Sequence, residues 1–220
     1  MQDVDKASAL TILTMEHNTL QMIRTATITD ATGRAGHLLT SISASMIALG
    51  FVAQVVPLTV LLTLVLVIFT ALFLIGLATL FRTVELTIED VQAGLGINRI
   101  RAVYAELEPS TRDVFVRQLH DDTLGVEVDG GQTGWRHARR PRLFGTTLGV
   151  AGLVNLVNGL VAGVIAGAAA GLLGAALPWA IAVSVLVGIV VFSGFGIALG
   201  RIGRRGIAPI TTRYPREHPN

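Results

Sequence analysis

The sequence contains no cysteine, which excludes disulfides, thiolate metal sites and cysteine nucleophiles. Charged residues are also scarce, at 15% of the 220 residues, against roughly 25% in soluble domains. The formal net charge is only +2, so the pI of about 9.7 reflects local basic clusters rather than a basic domain. Because no patch of Lys and Arg is interleaved with aromatic residues, we expect no nucleic-acid partner.

A cleaved signal peptide is not expected. Such a peptide needs a short basic region followed at once by a short apolar stretch. Here the first apolar run begins only near Leu38, after a long segment that carries Asp3, Asp5, Glu16 and Asp30.

What the sequence does have is two long apolar blocks, and its mean hydropathy is +0.63. Between His37 and Phe81 there is no charged residue, taking His as neutral. One membrane span needs about 20 residues, so this block must hold two helices. Pro57 lies near the middle and divides the block into spans at about Leu38–Val56 and Leu58–Phe81.

The second block runs without charge from Leu143 to Gly200. Pro178 and Trp179 divide it, and tryptophan favours the membrane interface. The predicted spans are about Leu143–Leu172 and Trp179–Leu199. The sequence therefore predicts an all-α polytopic membrane protein, with four transmembrane helices arranged as two hairpins and a cytoplasmic helical layer.

The topology follows from the position of the charges. All basic and acidic residues lie in three segments that two hairpins would place on one side of the membrane. The positive-inside rule assigns that side to the cytoplasm, so both termini are predicted to be cytoplasmic in a multi-pass protein of the inner cell membrane. The predicted regions are an N-terminal helix (1–36), hairpin 1 (37–81), a stalk with a short helix and loop (82–142), hairpin 2 (143–200) and a basic tail (201–220).

The N-terminal region 6–34 has the pattern of an amphipathic helix, with Leu10, Leu13, Leu20 and Ile23 on one face. Two alternatives are open: the helix lies on the membrane, or it packs on the central loop. Since its polar face is not rich in Lys and Arg, protein packing is favoured.

The central region is predicted to continue the second span as a stalk helix up to Leu107, with Gly94 and Gly96 as possible kinks. Ser110 and Asp113 have the spacing of a capping box, which predicts a short helix reaching about His120. Glycines and alternating valines between positions 125 and 134 predict a loop that could form a small hairpin.

The third span carries glycines at intervals of four, which lie on one helix face and let another backbone approach closely. The sequence leaves two packing partners for this face: the fourth span of the same chain, or another subunit. In the second case the subunits could surround a pore. The predicted face consists of Gly159, Gly163, Gly167 and Gly171.

Polar groups at membrane depth are few, and the three amides Gln54, Asn155 and Asn158 are the candidates for interhelical hydrogen bonds or a polar path. No ionisable group lies at that depth, which argues against proton-coupled transport. His120, Asp121 and Asp122 are the one cluster that resembles a metal or acid–base site. Adjacent residues on a helix point in different directions, so we interpret the triplet as a solvated helix end.

No catalytic, cofactor-binding or metal-binding motif occurs in a suitable context, so we expect no enzyme activity and no cofactor. Residues 97–101, INRIR, followed by Tyr104, the sequence ELEP and the HDD triplet, resemble four-span integral membrane proteins of actinobacteria. In layout alone, the chain is also similar to two- and four-span membrane effector modules of bacterial defence.

The leading hypothesis is a homo-oligomeric membrane scaffold or signalling partner that acts through its cytoplasmic face. Its expected partners are the lipid bilayer, further copies of the chain and an unknown cytoplasmic protein. The alternative is an oligomeric pore gated from the cytoplasm and lined by the three amides. The candidate residues for the cytoplasmic interaction are Arg99, Arg101, Tyr104, His120, Asp121 and Asp122.

Overall fold

The computed structural model describes residues 3–122, 126, 149–208 and 211–215. The regular structure of these residues is helical. It consists of α1 (Asp3–Val52), α2 (Leu58–Leu107), a 3₁₀ helix (Pro109–Val114), α3 (Val150–Leu172) and α4 (Leu177–Ile207). The prediction of an all-α chain is confirmed.

Each of the four α-helices contains a stretch long and apolar enough to cross a membrane. The number of helices that could span a membrane matches the four predicted spans, and it fits a multi-pass membrane protein. Residues 143–148, with which the third span was predicted to begin, lie outside the described residues. The fourth helix begins two residues earlier than predicted, because Pro178 stands in its first turn, where the missing N–H costs no helical hydrogen bond.

The first two helices are longer than the spans within them. The predicted N-terminal helix and first span form the single helix α1, and Gly33 and Gly36 do not interrupt it. It ends at Val52, four residues before the predicted end, in a turn where the Gln54 N–H donates to the Phe51 carbonyl over 3.2 Å. The second span and the predicted stalk form the single helix α2, which also runs through Gly94 and Gly96 without a break.

The predicted capping box and the helix up to His120 are wrong. Glu108 rather than Ser110 precedes the first helical residue, and no side chain caps the helix. The Ser110 hydroxyl instead donates to the Glu108 carboxylate over 2.6 Å. Pro109 explains the shift, because proline favours the first helical position. The 3₁₀ helix stops at Val114, since Phe115 is extended. Of the predicted loop at 125–134, only Val126 is among the described residues.

The chain forms two compact units. We call the unit formed by Met1–Thr29, Leu86–Arg142 and Gly203–Asn220 the polar unit, and the unit formed by Asp30–Glu85 and Leu143–Ile202 the apolar unit. Both α1 and α2 contribute residues to each unit.

In the polar unit, α1 packs on α2, and its residues Lys6 and Leu10 also line a groove with residues of the central region. Leu20 lies so close to Gly96 that a Cβ there would be 2.8 Å from a Leu20 methyl carbon, and Arg24 donates to Asp90 over 2.8 Å. Gly94 and Gly96 are therefore close-approach positions, not kinks. Leu13 and Leu20 lie on this inner face of α1 and are half-buried, whereas Leu10 and Ile23, which were predicted to share a face with them, are exposed.

The core of the apolar unit joins three helices. Leu38 of α1, Leu80 of α2 and Val154 of α3 are buried together near one end, with Ala35. Leu49, Phe69 and Val161 form a second cluster. In lipid the packing of such side chains, rather than their removal from water, holds helices together.

The glycine face of α3 packs on other helices of the same chain. A Cβ at Gly159 would lie 3.0 Å from the Gly188 carbonyl oxygen, and one at Gly163 would lie 2.7 Å from the Ser184 carbonyl oxygen. The Ser184 hydroxyl donates to the Gly163 carbonyl over 2.7 Å, which fixes α4 on this face. Gly167 also faces Ser184, while Gly171 faces Leu62 of α2. Of the two packing partners that the sequence left open, the structure therefore shows the one within the same chain.

Gly163→Ala should destabilise the apolar unit. The new methyl group would meet backbone oxygen, which cannot move aside without shifting α4, and overpacking of this kind costs about 1–3 kcal/mol. The measurement is the thermal unfolding of the purified protein in lipid nanodiscs.

The matched control is Gly194→Ala, because a Cβ at Gly194 meets no atom within 4 Å. This change should leave the unfolding temperature unchanged or raise it, since Ala is the better helix former by up to about 1 kcal/mol. Equal melting of the two variants would contradict the close packing of α3 on α4.

Candidate functional site

The buried carboxylate of Asp121 organises the polar unit. It lies seven residues beyond the 3₁₀ helix and is 1% exposed. Arg99 of α2 donates to it from Nε over 2.8 Å. The backbone N–H groups of Arg213 and Tyr214 donate to it over 3.0 and 2.7 Å. A carboxylate can lose its water at low cost only when charge-assisted bonds of this kind replace it.

The same contacts attach the segment 211–215, which we call the tail, to α2. A terminal nitrogen of Arg99 donates to the Thr211 carbonyl over 2.6 Å. The Tyr214 hydroxyl donates to the Glu106 carboxylate over 3.0 Å, and the Tyr214 carbonyl accepts from the Asp121 N–H. Arg99 therefore bridges the carboxylate and the tail. We call Asp121, Arg99, Thr211, Arg213 and Tyr214 the Asp121 site.

The pKa values of the site follow from these bonds. Burial alone would raise the pKa of Asp121, but the hydrogen bonds from the Arg213 and Tyr214 N–H groups and from Arg99 outweigh it and hold this pKa below its ordinary value. Burial and the hydrogen bond to Glu106 raise the pKa of the Tyr214 hydroxyl. Asp121 is thus an anion and Tyr214 a neutral donor at neutral pH.

A second layer of polar contacts supports the site. Asn98, which is 1% exposed, donates to the His120 carbonyl over 3.1 Å. Its own side-chain oxygen accepts from Arg101 over 3.0 Å. This fixes the residue before Asp121, and it places the predicted interaction residues Arg99, Arg101 and Asp121 in one network.

The prediction of a solvated helix end at positions 120–122 is wrong. The triplet is not helical, and its middle residue is among the most buried side chains in the polar unit. His120 and Asp122 are half-buried. Within the part of the chain that the structure describes, no three His, Asp or Glu side chains come together as metal ligands.

Sequence reasoning missed the roles of Asn98 and of the tail (211–215), which lies within the predicted basic region 201–220 but was not among the candidate site residues. The signal for Asn98 was present, because it follows Val84 and Val91 at intervals of seven and so stands at a core position of α2. The tail gave no such signal, since it binds Asp121 through backbone N–H groups, which every non-proline residue has.

Tyr104 lies elsewhere, in a groove of about 400 Å³ in the polar unit. Its hydroxyl is 3.3 Å from the Thr14 hydroxyl, and its ring centroid is 6.3 Å from that of His17. The groove, as we call it from here on, is lined by Lys6, Leu10, Tyr104, Leu107, Glu108, Thr111 and Phe115.

The three candidate amides of the apolar unit are not brought together. Gln54 is exposed in the turn after α1. Asn155 donates to the Phe192 carbonyl of α4 over 3.0 Å. Asn158 is fully buried, and its oxygen lies where a Cβ at Gly76 would stand. Neither polar atom of the Asn158 amide has a hydrogen-bond partner, and the Asn155 oxygen also lacks one.

A scan against protein-family models found no match to this chain. Searches among curated proteins and among solved structures found no significant match either. The resemblance to four-span actinobacterial membrane proteins stays a prediction.

Asp121→Asn should release the tail. A neutral amide is a weaker acceptor than a carboxylate, and hydrogen bonds to charged groups contribute about 1.5–3 kcal/mol. We expect the protection of the Arg213 and Tyr214 amides against hydrogen exchange to fall by about tenfold or more. In the unsubstituted protein the folded-state pKa lies below the unfolded one, so protection is complete above the ordinary carboxyl range and is lost as pH falls through the depressed pKa.

The control for this experiment is Asp113→Asn, which removes an exposed carboxylate of the same unit. Tail protection should not change in this variant. An Asp121→Asn protein with a fully protected tail would show that the carboxylate does not hold it.

Proposed function

We propose that this chain is an integral membrane protein of the cell membrane that acts as a homo-oligomeric scaffold or signalling partner, and that it binds a cytoplasmic protein through its polar unit. The four apolar helices support the membrane anchor. The confinement of charge to the segments outside the apolar blocks supports a cytoplasmic polar unit with both termini on that side. The observation that carries the proposal is the groove.

The chemistry of the groove suits a protein segment. Its walls include the apolar or aromatic side chains of Leu10, Leu107 and Phe115, while Lys6 and Glu108 supply one charge of each sign. Interfaces of this kind bind an apolar anchor in a pocket with a charged rim. The fitting partner is an amphipathic segment that inserts one large apolar side chain and pairs with both charges.

The surface beside the groove extends the apolar area. Val114, the last residue of the 3₁₀ helix, is 75% exposed, and Val116 is 96% exposed; they stand on either side of Phe115 in the chain. Neighbouring exposed apolar side chains of this size are typical of protein contact sites.

The Asp121 site supports the same role because it fixes the chain next to the groove. The segment between Leu107 and Asp121 carries Glu108, Thr111 and Phe115 of the groove wall. Its start is the end of α2, and its other end is bonded to Arg99 and the tail. A wall held at both ends loses less conformational entropy on binding.

The test places a photo-crosslinking amino acid at Thr111, which lines the groove, and at Asp113, which is exposed nearby. In living cells we expect position 111 to give a discrete crosslinked protein, and position 113 to give at least severalfold less of it, because crosslinking falls off beyond direct contact. Mass spectrometry identifies the product.

A second variant, Phe115→Asp, puts a charge into the apolar wall and should abolish the crosslink from position 111. Equal products from both positions, or a product that survives Phe115→Asp, would count against the groove as the binding site.

A polar path through the apolar unit is the second candidate function, and the unpartnered amide of Asn158 favours it. Buried amides without partners are rare, and a site that hydrates them transiently would give small ions or water a route between α2, α3 and α4. Asn155 and Asn158 would then line this path.

Asn158→Leu should abolish any conductance of the protein in planar bilayers, because Leu has the same heavy-atom branching as Asn and no polar atom to hydrate. Gln54→Leu, at an exposed position in a turn, should leave the conductance intact. Unchanged conductance in Asn158→Leu would remove this candidate.

A further inference from the structure

The outer face of α1, opposite the residues that contact α2, is apolar and exposed in the polar unit. Ile12 is 67% exposed, Met15 is 66% exposed and Met22 is 72% exposed. One such side chain on a surface is ordinary, but these three lie in one line along the helix. We call the line formed by Ile12, Met15, Thr19, Met22 and Ala26 the α1 seam.

The spacing of the α1 seam is that of a coiled coil. Its residues follow one another at alternating intervals of three and four, which is the 3.5-residue repeat of helices that supercoil around each other. Its residues are all exposed, and none carries a charge. The inner face of α1, with Leu13 and Leu20, is a separate face that α2 already occupies.

The same spacing continues without a skip into the apolar unit's part of α1. After Thr29, the last such position in the polar unit, the continuing positions are all exposed and uncharged: Gly33, Gly36, Thr40, Ser43, Ile47 and Gly50. A Cβ at Gly33, Gly36 or Gly50 would meet no atom within 4 Å. In a membrane, small residues in a row let a second helix approach closely.

The continuation of the α1 seam along the whole helix indicates which kind of molecule could bind to it. A soluble protein could cover only the part of α1 outside the membrane. A lipid surface would favour Lys and Arg beside the apolar line, whereas Glu16 and Asn18 flank it here. A second copy of the chain crosses the membrane in the same orientation and presents the same repeat along the whole helix.

The charges beside the α1 seam permit a parallel pair. In a parallel coiled coil with heptad positions a to g, the core residues occupy a and d, and each g residue faces the e residue five positions later in the other helix. Here Ile12 is at a and Met15 is at d. This juxtaposes Thr11 with Glu16 and Asn18 with Ile23 of the other copy, so no like charges meet.

The contact area is sufficient. From Ile12 to Gly50 the face is roughly 57 Å long at about 1.5 Å per residue, and it is about 10 Å wide. Two such faces bury roughly 1,100 Å² together, which exceeds the roughly 1,000 Å² needed by a specific interface.

We propose that a second copy of this chain packs in parallel along the α1 seam, so that the protein is a two-fold dimer whose axis runs beside α1. This inference deepens the self-association in the proposed function and rests on the chain spanning a membrane. It moves the contact between subunits from the glycine face of α3 to the outer face of α1.

The absence of cysteine makes the test direct. Three single-cysteine variants, Met15→Cys, Met22→Cys and Gln21→Cys, are oxidised mildly in native membranes and run on a non-reducing gel. All three positions are exposed, but Gln21 lies about 100° around the helix from Met22. A disulfide needs Cα atoms within about 4.4–6.8 Å, so we expect about tenfold more dimer at Met15 and Met22 than at Gln21.

The pattern distinguishes the outcomes. Disulfide dimers at both Met15 and Met22 support a parallel pair, since an antiparallel pair would bring at most one of these positions near its own copy. Dimers at all three positions to the same extent, or at none, would overturn the proposal. A disulfide or chemical crosslink to a different protein at Met15 and Met22 would also overturn it.

A second measurement guards against variants that fail to fold. The mass of the protein in lipid nanodiscs should halve in Met22→Glu and stay unchanged in Gln21→Glu, and both should keep the circular dichroism of the unsubstituted protein. Crosslinking at Thr111 in the groove should survive Met22→Glu. An unchanged mass in Met22→Glu would contradict the dimer along the α1 seam, whatever happens at the groove. Absence of the Thr111 crosslink in the unsubstituted protein would contradict the groove, whatever the mass.

Discussion

A chain that crosses lipid must satisfy every backbone N–H and C=O within its own helices, and this constraint determines the architecture described above. It accounts for the unbroken course of α1 through Gly50 and of α2 through Gly76, both of which lie within the apolar stretches. Both helices also continue beyond their apolar stretches and supply residues to the polar unit. The polar unit therefore begins with two of its elements already formed.

With the backbone satisfied, side-chain packing decides what each helix contacts. Gly163 brings α3 within reach of the Ser184 carbonyl of α4, and Gly96 admits the Leu20 side chain between α1 and α2. In both places the absence of a side chain at glycine lets two helices pack closer together than a larger residue would permit. The polar unit adds a contact of another kind, because a single carboxylate, Asp121, accepts bonds from a helix and from the tail.

The sequence was sufficient to predict the four long apolar helices, because the absence of charge over two blocks is a strong signal. The face on which the α3 glycines lie was also predictable from their spacing, but its partner was not, since Gly188 and Ser184 carry no signature that excludes a second subunit. The boundary between the N-terminal region (1–36) and hairpin 1 is not visible in the helix, since α1 runs through it without interruption. The capping box predicted at Ser110 was wrong because Pro109 occupies the first helical position and Ser110 therefore lies inside the helix.

The candidate site was predictable only in part. Arg99 and Asp121 were identified as residues of interest, but their pairing across 22 positions depends on the path of the chain after Leu107. The bonds from Arg213 and Tyr214 to Asp121 join residues more than 90 positions apart and use main-chain donors. No local pattern encodes such contacts, whereas the buried position of Asn98 follows from its spacing along α2.

The distance along the chain between Asp121 and the tail also sets an order of events during synthesis. A ribosome that has made Asp121 must still make α3 and α4 before Arg213 and Tyr214 exist. Contacts of such long sequence separation form late, and domains made earlier wait for them with polar groups unsatisfied. The carboxylate of Asp121 thus lacks two of its hydrogen-bond donors until the residues after α4 have been made, and its full burial marks a chain in which the tail has docked.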